Sequence, residues 1–169
     1  MKLSNLLLEA NKRGYELFCD LDGVLCDFEK AFKAASGENL SFDQYANHYS
    51  LDQAWAIVDK EGVKFWAKMP WTPDGSQLWN AIKKYKPTIL SAPSKHWSST
   101  FGKKIWVKKN LGEVPAIYVP AKYKQKYAAN NHILIDDYSR NIKQWIEKGG
   151  IGILHKNTND TLSQLAQYL

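Results

Sequence analysis

A short apolar run that ends in two carboxylates constrains this chain more than any other stretch. Leu17 and Phe18 carry the signature of a buried strand, and the run stops at Asp20-Leu21-Asp22-Gly23. Alternation along a strand puts residues i and i+2 on one side. Asp20 and Asp22 therefore point the same way at the strand's carboxyl end, and Gly23 lets the backbone turn there. Two like charges held side by side are costly unless a cation or a proton offsets them. A polar strand end or an Asx turn would explain Asp-x-Asp-Gly taken alone. The rest of the chain decides between that reading and a site.

The 169 residues suit one domain with an insertion. Hydrophobic content of 44% is enough for a core, and seven tryptophans leave material for an aromatic pocket. The formal net charge of +6 favours phosphate-bearing partners without proving one. Cys19 and Cys26 are the two cysteines, which fits free thiols in a reducing compartment and no zinc site. The first residues carry only a short apolar patch, closed by Glu9, Lys12 and Arg13. The patch is too short to span a membrane and lacks a cleavage pattern. It is expected to form a short helix over Leu3 to Asn11 of a cytoplasmic protein.

Strands are expected near Glu16–Asp20, Thr88–Ser91, Pro115–Val119, His132–Asp136 and Ile151–Leu154, and helical patterns separate them. That alternation predicts an α/β fold: a Rossmann-like parallel sheet with helices on both faces. Between Phe28 and Tyr85 only helical signals occur, including a Ser41/Gln44 capping box. The expected organisation is a catalytic core of residues 1–27 and 86–169, with a small helical cap of residues 28–85 inserted after the first strand. Ligands of open parallel sheets bind at the strands' carboxyl ends. Those ends offer Asp20 and Asp22, then Ser91 followed by Lys95, then Asp136 and Asp137, with a lysine-rich segment (Lys122, Lys124, Lys126) between the last two. Oxygen-only ligands of this kind suit Mg²⁺.

In this order, Asp20-x-Asp22-Gly23, Ser91, a downstream lysine and Ile135-Asp136-Asp137 resemble the four motifs of the haloacid dehalogenase-like phosphatases. Asp20-Leu-Asp-Gly-Val-Leu-Cys-Asp-Phe28, Phe65-Trp66, Ser91-Ala-Pro-Ser-Lys95, Lys103-Lys-Ile-Trp106 and Leu134-Ile-Asp-Asp137 resemble the 5'(3')-deoxyribonucleotidases and their phage and bacterial relatives. The resemblance covers nearly the whole chain after Gly14. It implies Asp20 as nucleophile, Asp22 as general acid and base, and Mg²⁺ held by Asp20, the main-chain carbonyl of Asp22, Asp136 and Asp137. It further implies Ser91, Lys124 (preferred over Lys126), Lys95 and Lys103 around the phosphate. Phe28, Trp66, Phe65 and Trp71 are candidates to line a slot for a nucleobase. Two features depart from the family: Ala92 replaces a second hydroxyl after Ser91, and the arginine that accompanies the third motif is not evident.

The function expected is hydrolysis of a small phosphate ester, foremost a (deoxy)nucleoside monophosphate. Eleven lysines between Lys83 and Lys126 keep a phosphatase of nucleic-acid ends in view. Most of them fall on amphipathic helices, where a solvated face is the commoner meaning. A nucleotide-binding protein without turnover is the third reading, and a retained Asp22 speaks against it.

Overall fold

The computed structural model describes residues 14–169, so the helix expected over Leu3–Asn11 lies outside the described residues. Five parallel strands form one sheet: β1 (Glu16–Cys19), β2 (Thr88–Ser91), β3 (Ala116–Tyr118), β4 (His132–Asp136) and β5 (Ile151–Leu154), in the order β3-β2-β1-β4-β5. From β1 the chain winds outward through β2 to β3. It then crosses back to β4 on the other side of β1. The order reverses between β1 and β4, which is where an open α/β sheet leaves a crevice at its carboxyl edge.

Alternation along each strand divides the interior in two. Leu17, Cys19, Ile89, Ile133 and Ile135 pack on one face. Phe18, Leu90 and Leu134 pack on the other, against Ile142 and Trp145 of α7 (Ser139–Glu147). Burying an Ile or Leu side chain contributes about 1.5–3 kcal/mol. A strand apolar on both faces can therefore sit only at the centre of such a sheet.

The insertion is built from α1 (Phe28–Ser36), α2 (Phe42–His48), α3 (Leu51–Glu61) and α4 (Val63–Ala67). Asp27 caps α1 by accepting from the Lys30 N–H, and Gly37 ends it at φ 72°. The capping box of α2 forms in full: the Gln44 N–H donates to Ser41 Oγ at 3.2 Å and the Ser41 N–H to Gln44 Oε1 at 2.9 Å. Phe28, Phe32, Phe42 and Trp55 pack ring against ring, with centroids 4.7–6.4 Å apart.

The insertion joins the core through two connecting segments and through α4, which packs along the helix Trp97–Leu111. The outgoing and returning segments lie side by side: the Asp27 N–H donates to Pro70 O, the Thr72 N–H to Leu25 O, and Thr72 Oγ1 to Val24 O. From there the chain is back on the core. The helix expected from Asp74 to Tyr85 is α5 (Gly75–Ile82) with a 3₁₀ turn (Lys83–Tyr85). Sequence grouped it with the insertion, yet it packs against α8 (Thr158–Leu165). The Thr158 N–H and hydroxyl donate to the carboxylate and carbonyl of Asp74. Leu78 and Ile82 are fully buried in the core that holds β1.

The long helix α6 (Trp97–Leu111) starts three residues before the expected Thr100. Ser98 and Ser99 do not delay it, because each hydroxyl is occupied: Ser99 Oγ accepts from the Ser94 N–H, and Ser98 Oγ pairs with His96 Nδ1. Gly102 lies where α6 meets α4. A Cβ there would sit 2.5 Å from Trp66 Cβ and 2.7 Å from Val63 O, so only glycine permits this approach. No helix among the described residues is long and apolar enough to cross a membrane.

Candidate active site

The carboxyl ends of β1 and β4 are hydrogen-bonded neighbours, with Cys19 in register with Ile135. Their next residues, Asp20 and Asp136, therefore meet. Carboxylate oxygens of Asp20, Asp136 and Asp137 lie within 4.8 Å of one another. Asp136 is fully buried and accepts from Lys124 and from the Tyr138 N–H, and the Asn141 Nδ2 group donates to both of its oxygens. Both protein contacts to Asp20 fall on Oδ1, from the Leu21 N–H at 2.8 Å and Lys124 Nζ at 3.0 Å. That leaves Oδ2 uncommitted. The Gly23 backbone turns at φ 74° directly under Asp137, whose carboxylate occupies the space a Cβ would need.

Lys124 and Lys126 were both candidates by spacing, and the backbone separates them. They lie on a 3₁₀ segment, Ala121–Tyr127, where side chains three apart share a face. Lys124 is buried and bridges Asp20 and Asp136, whereas Lys126 is exposed and rests on the Tyr123 ring. Burial alone would lower the Lys124 pKa, but Asp20 and Asp136 outweigh it and raise it, so the ammonium stays charged.

Lys103 makes a second ionic centre. It is fully buried and donates to Asp22 Oδ2, to Ser91 Oγ at 3.1 Å and to the Ala92 carbonyl at 2.7 Å. Its ammonium also lies 5.1 Å from the centroid of the Trp66 ring. Asp22 Oδ1 accepts weakly from Cys26 Sγ. Asp20 and Asp22 thus face one side, yet each has its own lysine.

Burial pushes Asp20 up to about 7 against the pull of Lys124, with Asp136 and Asp22 adding to the rise. Partial burial, with Asp136 alongside, pushes Asp137 up to about 6. A divalent cation among the three carboxylates would reverse both shifts, because opposite charge favours the ionised form. The donor set fits Mg²⁺: carboxylate oxygens only, on converging strand ends, with an open side for water or phosphate. Burial raises the thiol pKa of Cys19 and Cys26, which keeps both as unreactive free thiols.

Above the carboxylates lies a cavity of about 550 Å³. Its floor is Asp20, Asp22 and Asp137. Phe28, Phe42, Trp55 and Trp66 form its aromatic wall, and Ala92, Pro93 and Ser94 one side. Phe28 and Trp66 are where the sequence reading put them, and Phe42 and Trp55 join them. Phe65 and Trp71 do not line this cavity. Phe65 borders a groove elsewhere on the insertion, and Trp71 packs on Trp106 with ring centroids 4.9 Å apart. Lys95 also does not line it: it is exposed and borders an adjoining cavity with Asp52 and Asp59. Ser91 lies beneath the cavity, fully buried and bound to Lys103.

Besides Phe42 and Trp55, two polar residues are absent from the sequence candidates. Asn141 steadies Asp136, and its only sequence signal is its place in the first turn of the helix that follows Asp136-Asp137. Ser94 lies two residues beyond Ala92, and its hydroxyl oxygen is buried without a partner among the described residues. It offers a hydroxyl on the loop where Ala92 lacks one. The Trp66 indole N–H is likewise buried without a partner.

The architecture is a Rossmann-like α/β fold, a five-stranded parallel sheet flanked by helices, and it is shared with solved structures. No protein-family model matches the chain, and no curated protein matches its sequence. Among solved structures it is similar to a hydrolase from Streptococcus pneumoniae TIGR4, at 14% identity and a TM-score of 0.54. That alignment covers 90% of this chain and 98% of the other. A hydrolase from Pseudomonas syringae aligns at 15% identity and a TM-score of 0.53, over 92% and 99% of the two chains.

Proposed function

We propose that the chain is a Mg²⁺-dependent phosphomonoester hydrolase whose substrates are small phosphate esters, foremost (deoxy)nucleoside monophosphates. The observation that carries this reading is the convergence of Asp20, Asp136 and Asp137 within 4.8 Å beside the buried Lys124. Such a cluster is expensive to assemble unless a cation and an anionic substrate use it. The two similar solved structures, both hydrolases, agree with this reading.

Asp20, Asp136 and Asp137 would hold the ion, joined by the Asp22 main-chain carbonyl that the motif resemblance implies. Bound there, Mg²⁺ supplies charge neutralisation that lets a carboxylate approach a phosphate, worth several kcal/mol. Asp20 Oδ2 attacks phosphorus, the Asp20–phosphorus bond forms, and the ester oxygen leaves with a proton from Asp22. Asp22 then takes a proton from water, the water oxygen bonds to phosphorus, and the aspartyl-phosphate bond breaks to release inorganic phosphate. Lys124 keeps Asp20 and Asp136 in place throughout. Lys103, shared between Asp22 and Ser91, is the donor nearest the general acid, and a phosphate that draws it away frees Asp22 to carry its proton.

The aromatic wall supports a flat, apolar leaving group such as a nucleoside. Trp66 contributes an edge rather than a stacking face in this reading. Its ring lies against Phe28 at 5.7 Å and near Lys103 at 5.1 Å, while its N–H lacks a partner. The test is phosphate release from nucleoside monophosphates, sugar phosphates and 3'-phosphorylated oligonucleotides, with Mg²⁺ and with EDTA. Release from nucleoside monophosphates but not from sugar phosphates, abolished by EDTA, is expected. Release that survives chelation would sink the metal assignment, and a blank panel would sink the enzyme reading.

A further inference from the structure

The exposed face of α6 carries an unusual combination of side chains. Its inner face, with Ser98, Ser99, Gly102, Lys103, Trp106 and Val107, is buried. Its outer face presents Trp97, Phe101 and Ile105 at four-residue spacing, 69%, 55% and 40% exposed. Lys104, Lys108 and Lys109 continue that face. The helix contains four lysines and no acidic residue, and only Lys103 is used by the site. Among the described residues one acidic side chain pairs with the stripe, Glu113, 3.4 Å from Lys108, and both are so exposed (88% and 78%) that the pair neutralises little. The Trp97 and Phe101 ring centroids lie 6.5 Å apart. The helix begins where the loop Ala92–Ser94, which borders the catalytic cavity, ends.

We infer that this face binds single-stranded nucleic acid, with bases on Trp97 and Phe101 and phosphates along Lys104, Lys108 and Lys109. Solvent-exposed aromatic rings set among unopposed lysines match what a single strand needs: flat faces for bases and positive charge for the backbone. A second copy of this chain fits less well, because a self-paired α6 would bring six exposed lysines together (three from each copy) across a narrow apolar stripe. The proposal rests on the phosphatase reading only for its corollary. If the cavity takes a terminal nucleotide, the strand behind it continues over Trp97, and the substrate is a phosphorylated strand end rather than a free nucleotide alone.

Binding is read without turnover, so a failed phosphatase reading would leave it untouched. Fluorescence anisotropy of a fluorescein-labelled twelve-nucleotide oligothymidylate is measured against the full chain at low salt and then at rising salt. Binding that weakens steeply with salt is expected, with Trp97→Ala/Phe101→Ala weaker by about tenfold or more at unchanged thermal stability. Lys104→Glu/Lys108→Glu, on the same face, should weaken binding and flatten the salt dependence. No binding by the wild-type chain overturns the proposal, as does equal binding by both double variants. Sedimentation of the same samples tests the alternative: a dimer that the Trp97/Phe101 variant disrupts, without oligonucleotide binding, makes the stripe a protein interface instead.

Discussion

The floor and the wall of the cavity are held together by opposite means. The floor is ionic and nearly rigid by construction: Asp136 accepts four hydrogen bonds, and Lys124 and Lys103 each bridge two or more fixed groups. The wall is a set of aromatic rings in edge and tilted contacts, on an insertion joined to the core by a two-segment neck and by α4 packed on α6. Charges in a low-dielectric site lose their value when displaced by about an ångström, whereas ring packing tolerates small shifts. On the proposed function, chemistry would belong to the floor and choice of substrate to the wall.

The largest effect that could break this division is at Asp20. Asp20→Asn should lower turnover by about 10⁴-fold or more in a phosphate-release assay and leave the circular dichroism spectrum unchanged. Near-normal turnover in that variant removes the nucleophile assignment and with it the claim about the floor. Next is Lys124→Met, which strands two buried carboxylates. Breaking a buried ionic cluster costs about 3–5 kcal/mol, so the melting temperature should drop by about 10 °C and activity should vanish. A stable variant would mean that the floor is wetter than the geometry indicates.

The wall should answer differently. Phe42→Ala removes a ring in contact with Phe28, Phe32 and Trp55, and should cost about 3–5 kcal/mol in chemical denaturation. The folded fraction should keep its chemistry but bind nucleotide with a raised KM. A fall in kcat with KM unchanged would merge wall and floor into one machine. Trp66→Phe deletes the N–H together with the five-membered part of the indole. It should raise KM by about 3- to 10-fold, the worth of one hydrogen bond, and lower the melting temperature, because the smaller ring leaves a void in a buried position.

The smallest effect lies outside both regions, where α5 meets α8. Burial pushes Asp74 up, but hydrogen bonds from Thr158 more than offset it and its pKa is lowered. Burial also lowers the pKa of His155. A lowered pKa means that the unfolded state takes the proton more readily, so both groups stabilise the native state at neutral pH and lose that contribution in acid. The loss should begin below the ordinary histidine value of 6.5 for His155, and below the ordinary carboxylate value of 3.8 for Asp74. Asp74→Asn should flatten the lower part of a melting-temperature profile and slightly steepen the upper part, because the Asp74 charge raises the His155 pKa against burial.

What the sequence settled by itself follows from local geometry and from the order of elements along the chain. Period-2 alternation puts Asp20 beside Asp22, and strand–helix alternation points to a parallel sheet. The Ser41/Gln44 capping box needs no partner beyond its own turn. Alternation and capping are properties of residues within a few positions of each other, whereas the sheet pairs segments far apart in sequence. Tertiary structure alone decided which lysine enters the floor, because Lys124 and Lys126 are equivalent in one dimension and a 3₁₀ turn separates them in three. It kept Lys95 out of the cavity above Asp20, put Lys103 against Asp22, and brought Asn141 under Asp136. It gave α5 to the core, because the neck closes at Thr72 rather than at Tyr85. It also left Trp97 and Phe101 in solvent, although they share a helix with the buried Trp106. Each of those outcomes depends on which face of a helix meets the sheet, and that is fixed by packing between segments far apart in sequence.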